Sequence, residues 1–246
     1  MHVLYSLDIG GLENDLVNLI NRMDESKFSH SICCIGQSGP YAERLNGQNV
    51  TIFEMKKREG AELLLPMKLA RVFKKIQIDI VHTRNWGAID GIIGAKVARV
   101  PYVIHGEHGR DVTDLDGSNI KRKLIRKGLS YFVDRYMTVS EDFREWLIID
   151  VGIDERKVQT ICNGVDTAKF NPDNKDLVRA KHGYSREDLI IGTVGRLDPV
   201  KDQQLLIRAF TRLAKKHPRL ILLIIGDGPF RVDLVRLANQ LARVAH

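Results

Sequence analysis

The chain has 246 residues, of which 43% are hydrophobic and 28% are charged, and its 38 Lys and Arg against 31 Asp and Glu give a formal net charge of +7. This is the composition of a globular protein, so it excludes disordered, collagen-like and coiled-coil chains, and the length suits one large domain or two modest ones. Three cysteines make no disulfide framework, which indicates a reducing compartment. The longest apolar run, residues 220–225, is too short to cross a membrane.

Short apolar runs alternate with stretches of helical periodicity through residues 1–162. Strands are predicted at residues 2–7, 31–35, 50–53, 78–82, 102–105, 135–138 and 158–161. Helices are predicted at residues 12–23, 63–75, 86–99, 120–132 and 141–149. This alternation predicts an α/β fold, with a parallel sheet covered by helices on both faces.

Residues 163–188 are polar and rich in turn formers, which indicates a linker between domains. A second series follows, with strands at residues 189–194 and 220–225 and helices at residues 201–216 and 232–244. Two strands are too few for an independent doubly wound domain. We therefore expect a first domain over residues 1–162, a linker over 163–188 and an incomplete second domain over 189–246.

Glycine-rich loops follow two of the predicted strands. Gly10 and Gly11 precede the first helix, where backbone N–H groups could approach an anion; a tight turn is the alternative. Gly226 and Gly228 follow strand 220–225 and would allow a ligand to come close, although a simple turn explains them equally well. No G-x-G-x-x-G sequence is present, which argues against a standard dinucleotide site.

The run HGEHGRD at residues 105–111 places two histidines, two carboxylates and an arginine directly after a predicted strand. Because α/β proteins bind ligands at the carboxyl ends of parallel strands, His105, His108 and Asp111 are candidates for acid–base catalysis or hydrogen bonding. A metal site would need a third ligand at a suitable spacing, and the sequence offers none. A solvated polar loop is the alternative.

The run GRLDPVKD at residues 195–202 lies between a buried strand and an amphipathic helix. Arg196 could bind a phosphate through two parallel hydrogen bonds, and Lys201 adds a point charge. Both precede a helix N-terminus, whose dipole also favours an anion. This spacing favours a diphosphate site over an ordinary charged surface.

The predicted helix over residues 120–132 is basic and amphipathic. Its cationic side chains are Lys121, Arg122, Lys123, Arg126 and Lys127. Such a helix could lie on an acidic membrane surface, and a solvated helix face is the alternative. The sequence shows no aromatic interleaving, zinc spacing or other signature of nucleic-acid binding.

Seven motifs occur in one order along the chain: GGLEN (10–14), DIVHTRN (79–85), HGEHGRD (105–111), VSED (139–142), ICNGVD (161–166), VGRLDPVKD (194–202) and IGDGP (225–229). This set resembles the retaining group 1 (family 4) glycosyltransferases of the GT-B fold. The HTRN motif and the segment after His105 look most like the sugar transferases associated with exopolysaccharide and PEP-CTERM (exosortase) gene systems.

The resemblance implies two Rossmann-like domains, the first binding the acceptor and the second the nucleotide-sugar donor. It assigns Gly10, Gly11, Arg196 and Lys201 to the donor phosphates and His108, with His105 as the alternative, to the sugar. It places Asn163 in a hinge motif at the domain junction. It implies no cofactor and no metal, because the nucleotide-diphosphate sugar is a substrate and the cationic side chains would take the place of a metal ion.

We therefore expect a hexosyltransferase that acts on a glycan or lipid-linked glycan in the cytoplasm, at the inner face of the plasma membrane. Family members carry an acidic E-x7-E motif further along the second domain, and no glutamate follows Glu187 here. We accordingly expect the chain alone to be inactive. A non-catalytic membrane- or partner-binding module and a nucleotide-sugar epimerase of the same architecture are the alternatives.

Overall fold

The computed structural model describes residues 1–45, 50–58, 60, 62–111 and 113–244. The chain divides into two compact units, Met1–Gly164 and Val165–His246. Both units consist of parallel strands connected by helices, which confirms the predicted α/β fold.

The first unit contains a seven-stranded sheet. Its strands are β1 (His2–Leu4), β2 (Ser31–Cys34), β3 (Thr51–Glu54), β4 (Ile80–Arg84), β5 (Tyr102–Glu107), β6 (Arg135–Thr138) and β7 (Val158–Thr160). They lie in the order β3-β2-β1-β4-β5-β6-β7, and every pair is parallel. The strand order reverses between β1 and β4, and in open α/β sheets such a reversal is where ligands bind.

The first unit has five α-helices in its described part: α1 (Gly11–Ile20), α2 (Leu65–Lys75), α3 (Asp90–Ala98), α4 (Ile120–Leu129) and α5 (Glu141–Glu145). Several predicted helices are longer than these because their ends are 3-10 or π turns. The predicted helix 86–99 begins with a 3-10 turn at Trp86–Ala88, and 120–132 ends with another at Ser130–Phe132. The helix at 141–149 continues from α5 into a π turn at Trp146–Asp150.

Apolar side chains cover both faces of the sheet. On one face Leu4, Ile32 and Cys34 pack against α1, and on the other Val3, Cys33 and Val81 form a larger core with α2 and α3. The alternation of side chains along a strand produces these two cores from neighbouring residues. None of the described helices is long and apolar enough to cross a bilayer.

The second unit contains α6 (Lys175–Lys181), β8 (Leu189–Val194), α7 (Gln203–Ala214), β9 (Leu220–Ile225) and α8 (Arg231–Val244). The two strands pair in parallel, and Leu197, Ile207 and Leu234 form a small core beside them. Residues 165–188, most of the expected linker, belong to this unit and include α6.

Candidate active site

The candidate site of the first unit lies where β1, β4 and β5 end. Gly10 and Gly11 follow β1, Arg84 ends β4, and His108 follows β5. The backbone N–H of Asn85 donates a hydrogen bond to the carbonyl of Gly106 over 2.8 Å, which holds the loops after β4 and β5 together. These residues therefore meet at the point where the strand order reverses, as a ligand site in this fold would.

Arg84 and His108 form the central contact of this site. Arg84 is 1% exposed, and its Nη1 lies 2.9 Å from Nε2 of His108. Because a guanidinium only donates, Nε2 must be the acceptor, and the neutral imidazole carries its proton on Nδ1. Burial lowers the pKa of His108, and the positive charge of Arg84 lowers it further, to about 3. Nδ1 is itself buried and has no hydrogen-bond partner among the described residues, so its N–H is an unsatisfied donor.

Two neighbours fix the position of His108. Its backbone N–H donates to Oδ1 of Asn85 over 2.6 Å, and Asn85 itself has a φ of 56°. With its ψ of 178° this residue lies outside the αL region, in a conformation rare for any residue but glycine, so the surrounding contacts must hold it. At Gly106 a Cβ would lie 2.8 Å from Nε2 of His108, so only glycine allows the ring to pack here.

His105 has a different environment from the one the sequence suggests. β5 extends to Glu107, so His105 lies inside the strand rather than in the loop after it, and it is 1% exposed. Its Nδ1 lies 2.7 Å from the hydroxyl of Thr83, and its Nε2 lies 3.4 Å from Glu107. Because both ring nitrogens have protein partners, His105 can act on a substrate only through its neighbours, and His108 is the histidine that a ligand can contact.

A buried ion pair supports this strand, and the sequence analysis did not identify it. Nε of Arg126 donates to Glu107 over 2.6 Å, and the two side chains are 6% and 2% exposed. Burial raises the pKa of Glu107, but the hydrogen bonds and charges of His105 and Arg126 outweigh that effect and lower it to about 2. Glu107 is therefore ionised at neutral pH and joins α4 to the end of β5.

Arginine and tryptophan side chains alternate beside this ion pair. Arg122 and Arg126 each lie 4.9 Å from the ring of Trp86, while Arg126 and Arg110 lie 5.0 and 4.9 Å from the ring of Trp146. Guanidinium groups stack favourably on aromatic faces. We name these five residues the Arg–Trp stack; it ties α4 and the loop after β5 to the sheet.

The basic side chains of α4 do not form one exposed row, which corrects the sequence prediction. Arg126 is bonded to Glu107, Arg122 lies 3.2 Å from Asp111, and Lys123 lies 3.2 Å from Asp150. These three cations turn inward because carboxylates on the loop after β5, on β5 itself and after α5 neutralise them. Of the predicted row, only Lys121 and Lys127 are exposed.

The acidic residues after β5 shape their own loop. Oδ1 of Asp111 accepts hydrogen bonds from the backbone N–H and the hydroxyl of Thr113, at 2.9 and 2.5 Å. Burial raises the pKa of Asp111, but the bonds from Thr113 and Arg122 reverse this and leave it lowered. Asp114 and Asp116 accept backbone N–H bonds at 3.1 Å within the same loop. No three His, Cys, Asp or Glu side chains in the described parts of the chain are grouped so that they could hold a metal ion.

A row of histidines lies beside Arg84, and no sequence motif signals it. His2 on β1 pairs in register with His82 on β4, and their rings lie 5.8 Å apart. His30 stacks on His2 at 5.4 Å, with Nδ1 3.2 Å from Nε2 of His2. Burial lowers the pKa of His82 well below its ordinary value, and the charge of Arg84 adds to this. These imidazoles are therefore neutral at physiological pH.

The two glycines after β1 have different surroundings. Gly10 is the N-cap of α1, and a Cβ there would meet only the carboxylate of Glu13, the end of a flexible side chain that can move aside. At Gly11 a Cβ would meet no described atom within 4 Å. Glycine at position 11 is thus not needed by the packing around it, whereas a ligand close to the backbone would require it.

In the second unit, Arg196 and Lys201 lie between β8 and α7, as predicted. Nη2 of Arg196 lies 3.0 Å from Oδ2 of Asp198, and the Arg196 side chain is 63% exposed. The carbonyl of Arg196 accepts a bond from the buried Gln203 side chain at 2.8 Å. The exposed Lys201 ends a 3-10 turn, Pro199–Lys201, directly before Asp202 caps α7. Both cations are accessible to an anion near the N-terminus of α7.

Gly226 and Gly228 are explained by a close approach of two loops of the second unit. A Cβ on Gly226 would collide with the carbonyl oxygen of Gly195, and one on Gly228 would lie 2.5 Å from that of Leu197. The N–H of Gly195 donates to Ile225 at 3.0 Å, and that of Leu197 to Asp227 at 2.9 Å. These glycines therefore position the loop that carries Arg196.

The remaining predicted residue, Asn163, is exposed and lies outside any helix or strand, next to the boundary between the units.

Two surface cavities lie away from the candidate residues. One of about 410 Å³ is lined by Arg208, Thr211, Arg212, Lys215 and Leu241, and one of about 550 Å³ by Asn18, Asn21, Arg22, Glu43 and Arg44. Neither contains a predicted site residue.

A doubly wound parallel unit followed by a second parallel unit, each with glycine-rich and polar loops after its strands, is the architecture of the GT-B fold. The chain belongs to the group 1 glycosyltransferases. The family model described as Glycosyltransferase Family 4 matches residues 9–169, and the one described as Glycosyl transferases group 1 matches residues 174–243.

Similar sequences and solved structures of the same fold accompany these family matches. The chain is 28% identical to the UDP-Gal:alpha-D-GlcNAc-diphosphoundecaprenol alpha-1,3-galactosyltransferase of Escherichia coli, over 95% of the chain and 63% of the relative. It is 23% identical to the putative glycosyltransferase EpsF of Bacillus subtilis, over 98% of the chain and 65% of the relative. The crystal structure of Anabaena HepE with UDP and glucose matches at a TM-score of 0.73 and 19% identity, covering 99% of the chain and 65% of HepE. The chain thus spans somewhat less than two thirds of these relatives.

The fold alone does not separate transferases from epimerases. The UDP-GlcNAc 2-epimerase of Neisseria meningitidis matches at a TM-score of 0.58 and 15% identity, over 100% of the chain and 71% of the epimerase. The family models make the distinction, because both describe glycosyltransferases and together they cover most of the chain.

Proposed function

We propose that this protein transfers a hexosyl group from a nucleotide-diphosphate sugar to a glycan or lipid-linked glycan, with retention of configuration. The observation that carries the proposal is the geometry of His108. Its neutral ring has a buried Nδ1–H without a partner among the described residues, at the point where the strand order reverses, and a buried donor left unsatisfied by the protein points to a ligand. A fixed, neutral donor suits a sugar hydroxyl, which a protonated histidine beside Arg84 would bind only at the cost of a second buried charge.

The candidate residues would act on two different parts of the donor, the departing nucleoside diphosphate and the transferred sugar. As the nucleoside diphosphate departs, negative charge grows on its phosphates. Arg196, Lys201 and the backbone N–H groups after Gly10 would stabilise that charge, so the proposal requires no metal and no cofactor. His108 would orient the transferred sugar, and Asn85 and Arg84 would hold His108.

The named relatives support the class of substrates. The name of the Escherichia coli relative specifies a UDP-sugar donor and a diphosphoundecaprenol-linked acceptor. Accordingly we propose a lipid-linked glycan as acceptor, synthesis of exopolysaccharide or another surface polysaccharide as the process, and the cytoplasmic face of the plasma membrane as the location. The donor sugar is left open.

A transfer assay tests this proposal. Radiolabelled UDP- and GDP-hexoses would be incubated with a bacterial lipid extract and with the protein, both as the 246-residue chain and extended to the length of its relatives. We expect labelled lipid from the extended form. H108Q should reduce transfer by at least about a hundredfold, as loss of an oriented catalytic contact does, while H217Q, at an exposed histidine of the second unit, should not.

Two results would contradict the proposal. One is the absence of transfer from any nucleotide sugar by the extended form. The other is conversion of a nucleotide sugar into its epimer without any acceptor, which would place the protein functionally with the epimerases.

A further inference from the structure

Helix α4 has an unusual distribution of side chains. Its inward face is basic, because Arg122, Lys123 and Arg126 turn toward carboxylates of the same unit. An ordinary surface helix buries its apolar stripe and exposes its charges. In α4 the inward side carries three cations, and apart from Leu129, which packs against the core, the aliphatic side chains are exposed.

The outward face of α4 is consequently apolar. Ile120, Leu124 and Ile125 are 64%, 64% and 46% exposed, and the following turn adds Tyr131 and Phe132 at 78% and 42%. Residues 120, 124 and 131 recur at helical spacing, so they lie along one stripe. Contiguous exposed apolar residues of this kind mark an interaction surface.

Cations flank this stripe, and α4 contains no acidic residue. Lys121 and Lys127 are exposed and form no ion pair within the described residues. Nζ of Lys96 lies 5.7 Å from the ring of Phe132 and adds a third positive charge at the edge. An apolar stripe with lysines beside it is complementary to a bilayer with anionic headgroups, because the side chains enter the acyl boundary while the ammonium groups stay at the phosphates.

We propose that the outward face of α4, formed by Ile120, Leu124, Ile125, Lys121 and Lys127, docks the first unit on a membrane containing anionic phospholipid. Arg126, on the opposite side of the same helix, holds Glu107 next to His108, so docking would fix the candidate active site relative to the membrane surface. That the docked orientation serves a lipid-linked acceptor rests on the proposed function. Docking itself does not require the protein to transfer a sugar.

Vesicle flotation of the 246-residue chain tests the proposal. Vesicles of phosphatidylcholine alone would be compared with vesicles that also contain phosphatidylglycerol. The variant I120Q/L124Q removes two outward side chains, and L177Q/V178Q is the matched control, since these α6 residues of the second unit are 71% and 50% exposed. Circular dichroism would verify that both variants fold.

We expect binding to the anionic vesicles alone, weakened by salt. I120Q/L124Q should weaken it by at least about tenfold, since two apolar side chains no longer withdraw from water on binding, and the control should bind as the unaltered chain does. Equal binding by I120Q/L124Q, or no binding of the unaltered chain, would overturn the proposal. So would a dimer that I120Q/L124Q dissociates, because a second copy would then be the occupant of this face.

Discussion

Nη1 of Arg84 donates a hydrogen bond to Nε2 of His108 over 2.9 Å, from the end of β4 to the residue after β5. One bond thereby fixes both the tautomer and the charge of the histidine. A guanidinium cannot accept a hydrogen bond, so Nε2 of the imidazole must be the acceptor and the neutral ring must carry its proton on Nδ1. The unpaired donor at this edge of the sheet is therefore a consequence of a buried arginine.

The first prediction concerns this tautomer. Long-range proton–nitrogen correlation spectra should show His108 protonated at Nδ1 alone. R84M removes the donor and a positive charge, so the second tautomer should appear and the pKa of His108 should rise above about 3 while burial still keeps it below 6.5. R122M, which loses an arginine of α4 that does not contact His108, is the control. A spectrum unchanged in R84M would show that Arg84 does not set the tautomer.

The second prediction concerns the buried pair between Glu107 and Arg126. R126M leaves the carboxylate buried with His105 as its remaining polar partner, and breaking such a pair costs about 3–5 kcal/mol of unfolding free energy. Both tryptophans, Trp86 and Trp146, lie in the first unit, so urea denaturation followed by their fluorescence reports on it.

Two further variants make that measurement specific. K121M, at an exposed lysine of the same helix, should change the stability by less than about 0.5 kcal/mol. Adding E107Q to R126M should restore part of the loss, because no buried charge is then unpaired. If R126M were as stable as K121M, the ion pair would not hold α4 to the sheet.

The third prediction is a loss of stability in acid. The pKa values of His2, His82 and His108 are lower in the folded chain than their ordinary 6.5. Between each lowered pKa and pH 6.5, the unfolded chain therefore binds more protons than the folded chain. The unfolding free energy should then be highest above pH 6.5 and decrease below it. Glu107, with a lowered pKa, adds a further loss from about pH 4.5 toward 2.

Fluorescence-monitored urea curves at pH 5 and pH 7.5 measure this dependence. H82Q keeps a polar side chain of similar size but does not titrate, so the difference between the two pH values should shrink. In H217Q the difference should stay as in the unaltered chain, because His217 is exposed and belongs to the second unit. A pH difference as large in H82Q as in the unaltered chain would exclude His82 as a contributor.

The sequence predicts the order of strands and helices because periodicity is a local property of the chain. β8 and β9 match the predicted strands residue for residue. It also predicts the loops with Gly10, His108 and Arg196, since each directly follows an apolar run. Local patterns thus suffice to place side chains at the edge of a sheet.

What the sequence could not predict depends on contacts between distant residues. Arg126 joins Glu107 across 19 positions, and Arg84 joins His108 across 24. Periodicity also gives no sign that three cations of α4 find carboxylates on the inward side of the helix. Similarly, the predicted strand ends at residue 105 whereas β5 continues to Glu107, which places His105 inside the strand, and propensity does not resolve strand ends to that degree.

The fourth prediction separates ligand binding from folding at Gly11. A Cβ fits there without contact, and alanine favours a helix more than glycine does by about 1 kcal/mol. G11A should therefore leave the first unit as stable as before or more so, and yet reduce transfer from a nucleotide sugar by at least about tenfold, because the phosphates could no longer approach the backbone. G192A, in β8 with equally open surroundings, is the control. Full transfer by G11A would remove this loop from the donor site.

Binding of the donor nucleotide is the most direct test of the account. Isothermal titration would compare UDP and GDP on the 246-residue chain and on a form extended to the length of its relatives. We expect one of the two nucleotides to bind the extended form, R196M/K201M to weaken it by at least about tenfold, and R208M/R212M, which removes two exposed cations elsewhere on α7, to leave it unchanged. Failure of the extended form to bind both UDP and GDP would contradict the assignment of a nucleotide-sugar site to this chain.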